Sequence, residues 1–469
     1  MSTPEPSPHF SPREALSLFT PIAPGRTESL RALLDELGQD VEHMDGFPLH
    51  ELPEVHFVRL FVVEGDAYGE IPDRLVYSAN IDGSWRAHLS SLVARAPLLR
   101  EIYGHCEGFP AAADGEGSQR LFEWLAEHRV KPRLFYQGTT GRTTAQITGE
   151  AALHDELAGF FDEGLRVGRW GEASPTRIVA DAREHVRAQA GRLPQGPPPT
   201  RSAEQRTVHG LDLARRVLIF ATPFALLTAA SLLLLDRLLE LSVEALWAPL
   251  GLLAVTALVV GVTFLIVRFR ETSRLPSEEV FPPATRLDFS NAALVAQQED
   301  HQIQNQISLS IPIKPSRFRR TLVRIVLWVG DGLVRFVFTR GSLFGIRSIH
   351  FARFHVDERR DSVLFFSNYD ASWESYLEDF LTEGKRAVVP IWTNLRWCPR
   401  TRWLFHPAVG FAAIFKPYIR HHQMRTSIWY SAYRDLTAAN INNNTAIRRG
   451  LWSVRSEGEA LEWLKLFSK

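Results

Sequence analysis

The chain has 469 residues, which allows two or three domains, and 45% of them are apolar, enough for sizeable cores. The formal net charge is zero, with 53 basic and 53 acidic residues. The only cysteines are Cys106 and Cys398. This excludes a disulfide framework and a cysteine zinc site, and it is typical of a protein from a reducing compartment.

The chain begins with a Ser/Pro-rich stretch that lacks the basic region and the apolar core of a signal peptide. We therefore predict a disordered N-terminus over residues 1–17. A folded region follows over residues 18–170. Its apolar and β-branched segments follow the order strand, helix, strand, strand, helix, strand. This order is typical of the ferredoxin-like βαββαβ unit.

The second half of the chain repeats this pattern. The motif His-Phe-x-Arg recurs after 294 residues, and Asn-x-Asp-x-Ser-Trp recurs after 288 residues. Residues 134–157 also match residues 428–451, and residues 20–26 match residues 311–317. Four matching blocks in one order predict a second ferredoxin-like repeat over residues 307–469. Because each sheet needs an apolar partner for its open face, we expect the repeats to form a pseudo-dimeric α+β barrel.

The repeated motifs contain the candidate residues for binding or catalysis. They are His56, Arg59, Asn80, Asp82, His350, Arg353, Asn368 and Asp370. A His and an Asp on adjacent strands can meet, and an Arg can hold an anionic group or a carboxylate. Strand alternation predicts that each His and its Arg point to opposite faces. The structural alternative is that the Asp residues, like Ser84 and Ser372, cap the helices that follow, and that the His–Asp pairs only satisfy buried polar groups.

The segment between the repeats contains two long apolar runs. Residues 171–210 predict a helix and a Pro-rich linker, and residues 271–306 predict a connector. Residues 217–235 and 246–267 contain no charged side chain. Each run is long enough to cross a bilayer, and arginines flank the outer ends. We therefore predict a transmembrane hairpin within residues 211–270 in a two-pass protein of the cytoplasmic (inner) membrane, with both termini cytoplasmic. The alternative is a pair of buried helices.

The first helix of the second repeat is both basic and apolar. Residues 314–353 contain nine Lys or Arg and one acid, Asp331. Such a helix favours contact with a lipid bilayer and its anionic lipids. The predicted membrane-surface residues are Arg319, Arg320, Arg324, Trp328 and Arg335. The alternative is a helix that packs on its sheet and exposes a solvated basic face. The stretch carries no nucleic-acid motif, so no nucleic-acid partner is predicted.

Other patterns carry little chemistry. His421 and His422, with His301 and His406, do not have the spacing of a standard metal site, so no metal is predicted. The chain has no P-loop, no dinucleotide-binding fingerprint and no nucleophile elbow.

The motifs also carry a resemblance. Glu299-Asp-His-Gln-Ile-Gln-Asn305, Ser367-Asn-Tyr-Asp-Ala-Ser-Trp373 and Trp429-Tyr-Ser-Ala-Tyr433 are similar to blocks of an uncharacterised bacterial membrane-associated family. That family supplies no activity. The doubled ferredoxin-like unit is similar in fold to the haem-binding dye-decolourising peroxidases. Their motif Gly-x-x-Asp-Gly is approached by Ala79-Asn-Ile-Asp-Gly83, which has Ala at the first position, and no axial His can be assigned.

We therefore predict a membrane-anchored, cytoplasmic-facing protein that binds a small ligand, an anionic lipid or a protein partner, and that can form oligomers. The alternative, implied by the second resemblance, is a haem-dependent peroxidase-like oxidoreductase. It would act in the barrel cavity, with Asp82 or Asp370 as proton acceptor and Arg59 or Arg353 stabilising charge.

Overall fold

A computed structural model describes residues 14–239 and 290–467, apart from 45, 66–69, 111–116, 298, 340, 400, 403–405 and 408–409, together with a few residues between 257 and 269. The strands of the first repeat are β1 (Glu14–Pro21), β2 (Val55–Val63), β3 (Arg74–Ile81) and β4 (Leu134–Gln137). The strands of the second repeat are β5 (Gln304–Pro312), β6 (Ile349–Asp357), β7 (Ser362–Asp370), β8 (Thr401–Arg402), β9 (His406–Pro407) and β10 (Ile428–Ser431).

The strands form two four-stranded antiparallel sheets and one short hairpin. The first sheet has the order β1-β3-β2-β10, the second has the order β4-β6-β7-β5, and β8 pairs with β9. The predicted α+β class is therefore confirmed. The first strand begins at Glu14, so residues 14–17, predicted as disordered, belong to a strand. Residues 1–13 lie outside the described part of the chain.

The two repeats exchange their last strands. In an isolated βαββαβ unit the fourth strand pairs with the first. Here β4 pairs instead with β6 of the second repeat, and β10 pairs with β2 of the first. The chain first touches its own sheet, because Val130 N–H donates to Ser17 O at 2.9 Å. It then crosses to the other sheet before Leu134, so each sheet is completed by the opposite repeat.

The helices surround these sheets. In chain order they are α1 (Thr27–Leu37), α2 (Trp85–Arg95), α3 (Leu99–Tyr103), α4 (Gly117–Glu127), α5 (Thr144–Arg166), α6 (Pro175–Ala188), α7 (Ala203–Leu239), α8 (Ser290–Ala296), α9 (Arg317–Phe336), α10 (Trp373–Thr382), α11 (Lys385–Trp392), α12 (Phe411–His421), α13 (Ala438–Ser453) and α14 (Glu457–Leu464).

The apolar side chains form outer cores and an inner core. Leucines of α1 to α4 pack on the outer face of the first sheet, and α9 to α12 pack on the outer face of the second. The inner faces of the sheets meet in two aromatic clusters. One contains Phe57 and Phe351, and the other contains Phe61 and Phe366. Because Arg59 lies between Phe57 and Phe61 on β2, a polar layer separates the two clusters.

The predicted transmembrane hairpin, and with it the location in the inner membrane, is wrong. Within the residues that the structure describes, no helix has both the length and the apolar composition needed to span a bilayer. The first predicted span, residues 217–235, is the second half of α7, whose first half is charged and contacts α9. Arg216 of α7 bonds Asp331 of α9 at 2.7 Å. Most of the second predicted span, residues 246–267, lies outside the described residues.

Candidate functional site

A β-bulge positions each repeated histidine. The register of β2 against β3 shifts between Val55 and Phe57, so His56 is an extra residue that interrupts the alternation of the strand. Its ring contacts the inner aromatic cluster, and Arg59 also lies between the sheets. An equivalent bulge contains His350. The prediction that each His and its Arg point to opposite faces is therefore wrong, because a bulge has no signature in the alternation pattern.

Each histidine meets its aspartate, as predicted. His56 Nε2 lies 3.1 Å from Asp82 Oδ1, and His350 Nε2 lies 2.6 Å from Asp370 Oδ1. Both histidines are almost fully buried. The carboxylate fixes the orientation of each imidazole, which is what a buried His–Asp pair can do whether or not it binds a ligand.

The second oxygen of each aspartate accepts a backbone N–H at the start of a distant helix. Asp82 Oδ2 accepts from Thr144 N of α5 at 2.8 Å, and Asp370 Oδ2 accepts from Ala438 N of α13 at 2.8 Å. The positive end of the helix dipole stabilises a carboxylate at this position. Both oxygens of each aspartate are thus engaged with the protein itself, which makes these carboxylates connectors between sheet and helix.

The helices that directly follow the aspartates are capped by serines. Ser84 Oγ accepts from Ala87 N at 3.2 Å, and Ser372 Oγ accepts from Ser375 N at 3.2 Å. The prediction that these serines are caps is confirmed. The prediction that the aspartates cap the same helices is wrong, because their carboxylates turn inward to the histidines.

Arg59 crosses from the first sheet to the second. Its side chain is 2% exposed. Its hydrogen-bond acceptors are Gln306 Oε1 at 3.2 Å, Ile307 O at 2.8 Å, Ser308 Oγ at 2.9 Å, Ser367 O at 2.9 Å and Asn368 Oδ1 at 2.5 Å. The five oxygens belong to β5 and β7 of the second sheet. Arg59 therefore links the inner faces of the two sheets.

Arg353 makes the reciprocal crossing with fewer bonds. It is also 2% exposed. Its acceptors are Leu16 O at 3.3 Å, Ser17 Oγ at 3.1 Å and Ala79 O at 3.1 Å. Both guanidinium groups therefore bind only neutral oxygens in these contacts, and neither forms an ion pair within the described residues.

Two positive charges are therefore buried between the sheets. Burial lowers the pKa of Arg59 to about 9, and repulsion from Arg353 lowers it as well. Burial likewise lowers the pKa of Arg353 to about 9. Both values lie above 7, so both side chains are cations at neutral pH. Desolvating a cation costs several kcal/mol when no counter-charge accompanies it.

The surroundings of the two arginines differ at matched positions. Arg353 pairs in register with Phe366, whereas Arg59 pairs in register with Ser78. A serine therefore stands in the first sheet where a phenylalanine stands in the second. Likewise Asn368 faces Gln306 on β5, whereas Asn80 faces Ala15 on β1. Gln306 and Phe366 both contact Arg59. The first sheet has neither an amide nor a ring at the two equivalent positions.

One polar atom of Ser78 and one of Asn80, both on β3, have no protein partner in the described structure. Asn80 Oδ1 accepts from Asn368 Nδ2 at 3.2 Å. In the described structure, however, Asn80 Nδ2 and Ser78 Oγ are buried without a hydrogen-bond partner. Both residues are 2% exposed. Buried donors are normally satisfied, so this layer offers unused donors beside a buried cation.

The two histidines also differ in their contacts, because His56 Nδ1 has a hydrogen-bond partner and His350 Nδ1 has none in the described structure. Tyr433 Oη lies within hydrogen-bond distance of His56 Nδ1, at 2.8 Å, and burial raises the pKa of the Tyr433 hydroxyl well above its usual value. The repeat offset of 294 places Thr139 at the equivalent position for His350. Both His350 Nδ1 and Thr139 Oγ1 are buried without a hydrogen-bond partner in the described structure.

The predicted membrane-surface residues lie on α9 and contact the protein itself. Arg319 is buried and donates to Asn394 Oδ1 at 3.4 Å. The remaining arginines form ion pairs: Arg320 with Asp361, Arg324 with Glu358 and Arg335 with Asp331. Trp328 is half-buried, and its backbone O accepts from Arg216. These contacts match the alternative in which the helix packs on its sheet, and the predicted contact with lipid stays a prediction.

The described residues contain no group of three or more His, Cys, Asp or Glu side chains arranged to hold a metal ion. His422 is buried, with Nδ1 2.8 Å from Tyr418 O. Burial lowers the pKa of His422 to about 4.

Comparisons with protein-family models, with curated proteins and with solved structures found no match for the chain. The family resemblance and the resemblance to haem peroxidases therefore stay predictions. The site residues that sequence reasoning missed are Ser17, Ser78, Gln306 and Ser308. The available signal was the run of small polar side chains at alternating positions of otherwise apolar strands.

Proposed function

We propose that this protein is a ligand-binding protein that holds a small anion between its two sheets, beside Arg353. The observation that carries the proposal is the burial of two guanidinium groups whose hydrogen-bond acceptors are all neutral. A bound anion would supply the missing counter-charge and would remove the mutual repulsion of Arg59 and Arg353. Charge-assisted hydrogen bonds of this kind are about twice as strong as neutral ones.

The position beside Arg353 is favoured because that arginine has unused capacity. A guanidinium group carries five donors in a planar fork. Arg59 has five acceptors, whereas Arg353 has three, all at 3.1 Å or more. The unpartnered Ser78 hydroxyl and Asn80 amide belong to β3, next to Ala79, whose carbonyl already accepts from Arg353. An anion here would receive hydrogen bonds from all three side chains.

The chemistry of the site selects a small ligand that only accepts. Arg353, Ser78 and Asn80 offer donors, and aromatic clusters lie on either side of this polar layer. Halides, nitrate and short carboxylates have this character. The duplicated His–Asp pairs would then hold the two sheets in place around the ligand and would not contact it.

Thermal unfolding in sodium salts tests the proposal. The salts are chloride, nitrate, phosphate and acetate, with ionic strength held constant by sodium gluconate. Because an anion that binds only the folded state stabilises it, at least one small anion should raise Tm in a saturable manner. At 100 times its Kd the anion adds about 2.7 kcal/mol to the free energy of unfolding. If none of the four anions changes Tm, the proposal is wrong.

The matched variant is Ser78→Phe, which places in the first sheet the residue found at the equivalent position of the second. It should fill the site and abolish the dependence of Tm on the anion, while Arg324→Gln on the surface of α9 keeps it. Should Ser78→Phe fail to fold, Asn80→Asp provides an internal counter-charge and should give a more stable protein that no longer responds to the anion. Retention of the response in the variant that folds would contradict the proposal.

A further inference from the structure

The chain makes the same backbone contact at two places, just before each of the two exchanged strands. Before β4, Phe19 N donates to His128 O at 3.0 Å, and before β10, Ser310 N donates to His422 O at 3.4 Å. Phe19 and Ser310 are equivalent, since the offset of 291 is that of β1 and β5. We call these places the first seam and the second seam. Their backbones are alike, so a difference between them comes from the side chains.

An aromatic ring closes the first seam. Phe19 is only 7% exposed. Its ring centroid lies 5.4 Å from that of His355 and 6.4 Å from that of Phe366. The guanidinium carbon of Arg74 lies 5.5 Å from the centroid of the Phe19 ring. The position of Phe19 is therefore suited to a ring that packs on other rings and meets a cation.

The second seam has a cavity at the equivalent position. Ser310 is half-buried and lines a cavity of about 350 Å³ that is reached from the surface. Because serine has no ring, we infer that this cavity takes the place that the side chain of Phe19 fills in the first seam. A dry cavity of about 150 Å³ is already large enough to bind benzene. This one, which we name the seam cavity, can hold a ring with a short substituent.

The inner part of the seam cavity offers apolar surface for such a ring. Val63 and Met424 line it, and both belong to the inner aromatic cluster or pack against it. A methionine thioether makes favourable contacts with aromatic rings. The surface beside Ser310 therefore suits a flat apolar group.

A guanidinium group also lines the seam cavity. Arg360 is part of the lining and lies 3.8 Å from Asp357, the same carboxylate that pairs with Arg74. One charged cluster thus supplies a guanidinium group to both seams. A cation close to the face of a ring attracts it through the ring quadrupole.

The other charged side chains of the lining are already paired. Arg31 Nη2 lies 2.8 Å from Glu64 Oε1, and Arg425 Nη1 lies 2.9 Å from Asp35 Oδ2. A charged ligand would have to compete with these ion pairs for its partner, whereas a neutral ligand leaves them intact. The lining therefore favours a neutral ligand.

We propose that the seam cavity binds a small neutral aromatic molecule, whose ring takes the place that Phe19 fills in the first seam. The ring would lie beside Ser310, and its substituent would point to the opening of the cavity. This site is separate from the anion site proposed beside Arg353, and it does not depend on that proposal.

A ligand-observed NMR titration of the full chain with benzyl alcohol and with cyclohexylmethanol tests the proposal. Both alcohols are neutral, and they differ in whether the ring is aromatic. Benzyl alcohol should bind about two- to fivefold more tightly, as expected for a ring that meets a cation. Equal affinity for the two alcohols, or no binding of either, would overturn the proposal.

The matched variant is Ser310→Phe, which places in the second seam the residue of the first. It should abolish the binding of benzyl alcohol and raise Tm, because it fills the cavity. Ser310→Ala removes the hydroxyl group but keeps the space, so it should bind benzyl alcohol like the parent protein. Binding that persists in Ser310→Phe, or that is lost in Ser310→Ala, would contradict the proposal. Should Ser310→Phe fail to fold, Ser310→Leu is a smaller filler, and unchanged binding in that variant would be equally decisive against it.

A further variant separates the two proposed sites. Ser78→Phe should abolish the response of the buried site to small anions while the binding of benzyl alcohol persists. If Ser78→Phe also abolishes the binding of benzyl alcohol, the ring occupies the buried site and the seam proposal fails.

Discussion

The inner faces of the two sheets are built from the same repeated residues but are not equally satisfied. Around Arg59, five oxygens of the second repeat accept hydrogen bonds, and around His56 the hydroxyl of Tyr433 completes the network. Around Arg353 there are three acceptors, and His350 Nδ1 has no partner in the described structure. The shared residues are thus explained by the fold, and the proposed binding site rests on the differences.

The largest expected effect comes from removing each arginine in turn. Arg59→Leu leaves five buried acceptors in the opposite sheet without their donor, so we expect a loss of about 3–5 kcal/mol in the free energy of unfolding. Arg353→Leu leaves three such acceptors, so its loss should be smaller by at least about 1 kcal/mol. Urea unfolding measures both. Equal losses would show that the two halves are not different in this respect.

The next largest effect is the pH dependence of the free energy of unfolding that we expect from His355 of the second repeat. Burial lowers the pKa of His355 to about 3, with Arg353 repulsion as the second cause, whereas an unfolded histidine titrates near 6.5. Between these values the unfolded state binds more protons, so the free energy of unfolding falls as the pH falls below 6.5.

The equivalent residue of the first repeat is Phe61, at the offset of 294. We therefore expect His355→Phe to remove about 2 kcal/mol of the loss in stability between pH 6.5 and 5. Urea unfolding at both pH values checks this. An unchanged pH dependence in the variant would mean that His355 is not buried as a neutral side chain.

A smaller effect tests the two histidine environments. Tyr433→Phe leaves His56 Nδ1 buried without its hydrogen-bond partner, which should cost about 1–2 kcal/mol. Thr139→Val removes a hydroxyl that has no protein partner in the described structure. It should therefore be neutral within about 0.5 kcal/mol, or stabilising. Chemical unfolding of both variants gives the values. A clear loss in Thr139→Val would show that this hydroxyl is bonded after all.

The smallest expected effect concerns a feature that the halves share. Ser84→Ala and Ser372→Ala each remove one hydrogen bond that caps a helix, and both bonds are 3.2 Å long. Each should cost about 1 kcal/mol. Equal losses sharpen the comparison, because they confine the difference between the halves to the inner layer. Unequal losses would extend the difference to the outer helices.

Much of this architecture could be predicted from the sequence. The duplication, the order of strands and helices along the chain, and the contact of His56 with Asp82 follow from motif spacing and strand period. The exchange of β4 and β10 could not, because a strand of four residues has the same apolar pattern whichever edge it joins. The bulge at His56 could not, since one extra residue leaves no mark in composition.

The sequence predicted which residues form the candidate site. It did not predict that the two arginines would contact only neutral oxygens. Arg59 and Arg353 were chosen because both repeats carry them, yet the sequence contains enough acids to pair every arginine. Only the structure shows that their contacts are with neutral oxygens. The apolar run at residues 217–235 was misread, because hydrophobicity was judged apart from the charged half of the helix that contains it.

The strand exchange has a consequence for biosynthesis. The strand β2 lies on the edge of its sheet until β10 joins it, and more than 360 residues separate Val63 from Ile428. At the usual rate of about 5–20 residues per second, the ribosome needs roughly 20–70 s to supply that strand. During this time the nascent chain presents an open, apolar sheet edge, which is a template for aggregation. We therefore expect the nascent chain to be most prone to aggregation before residue 428 has been synthesised.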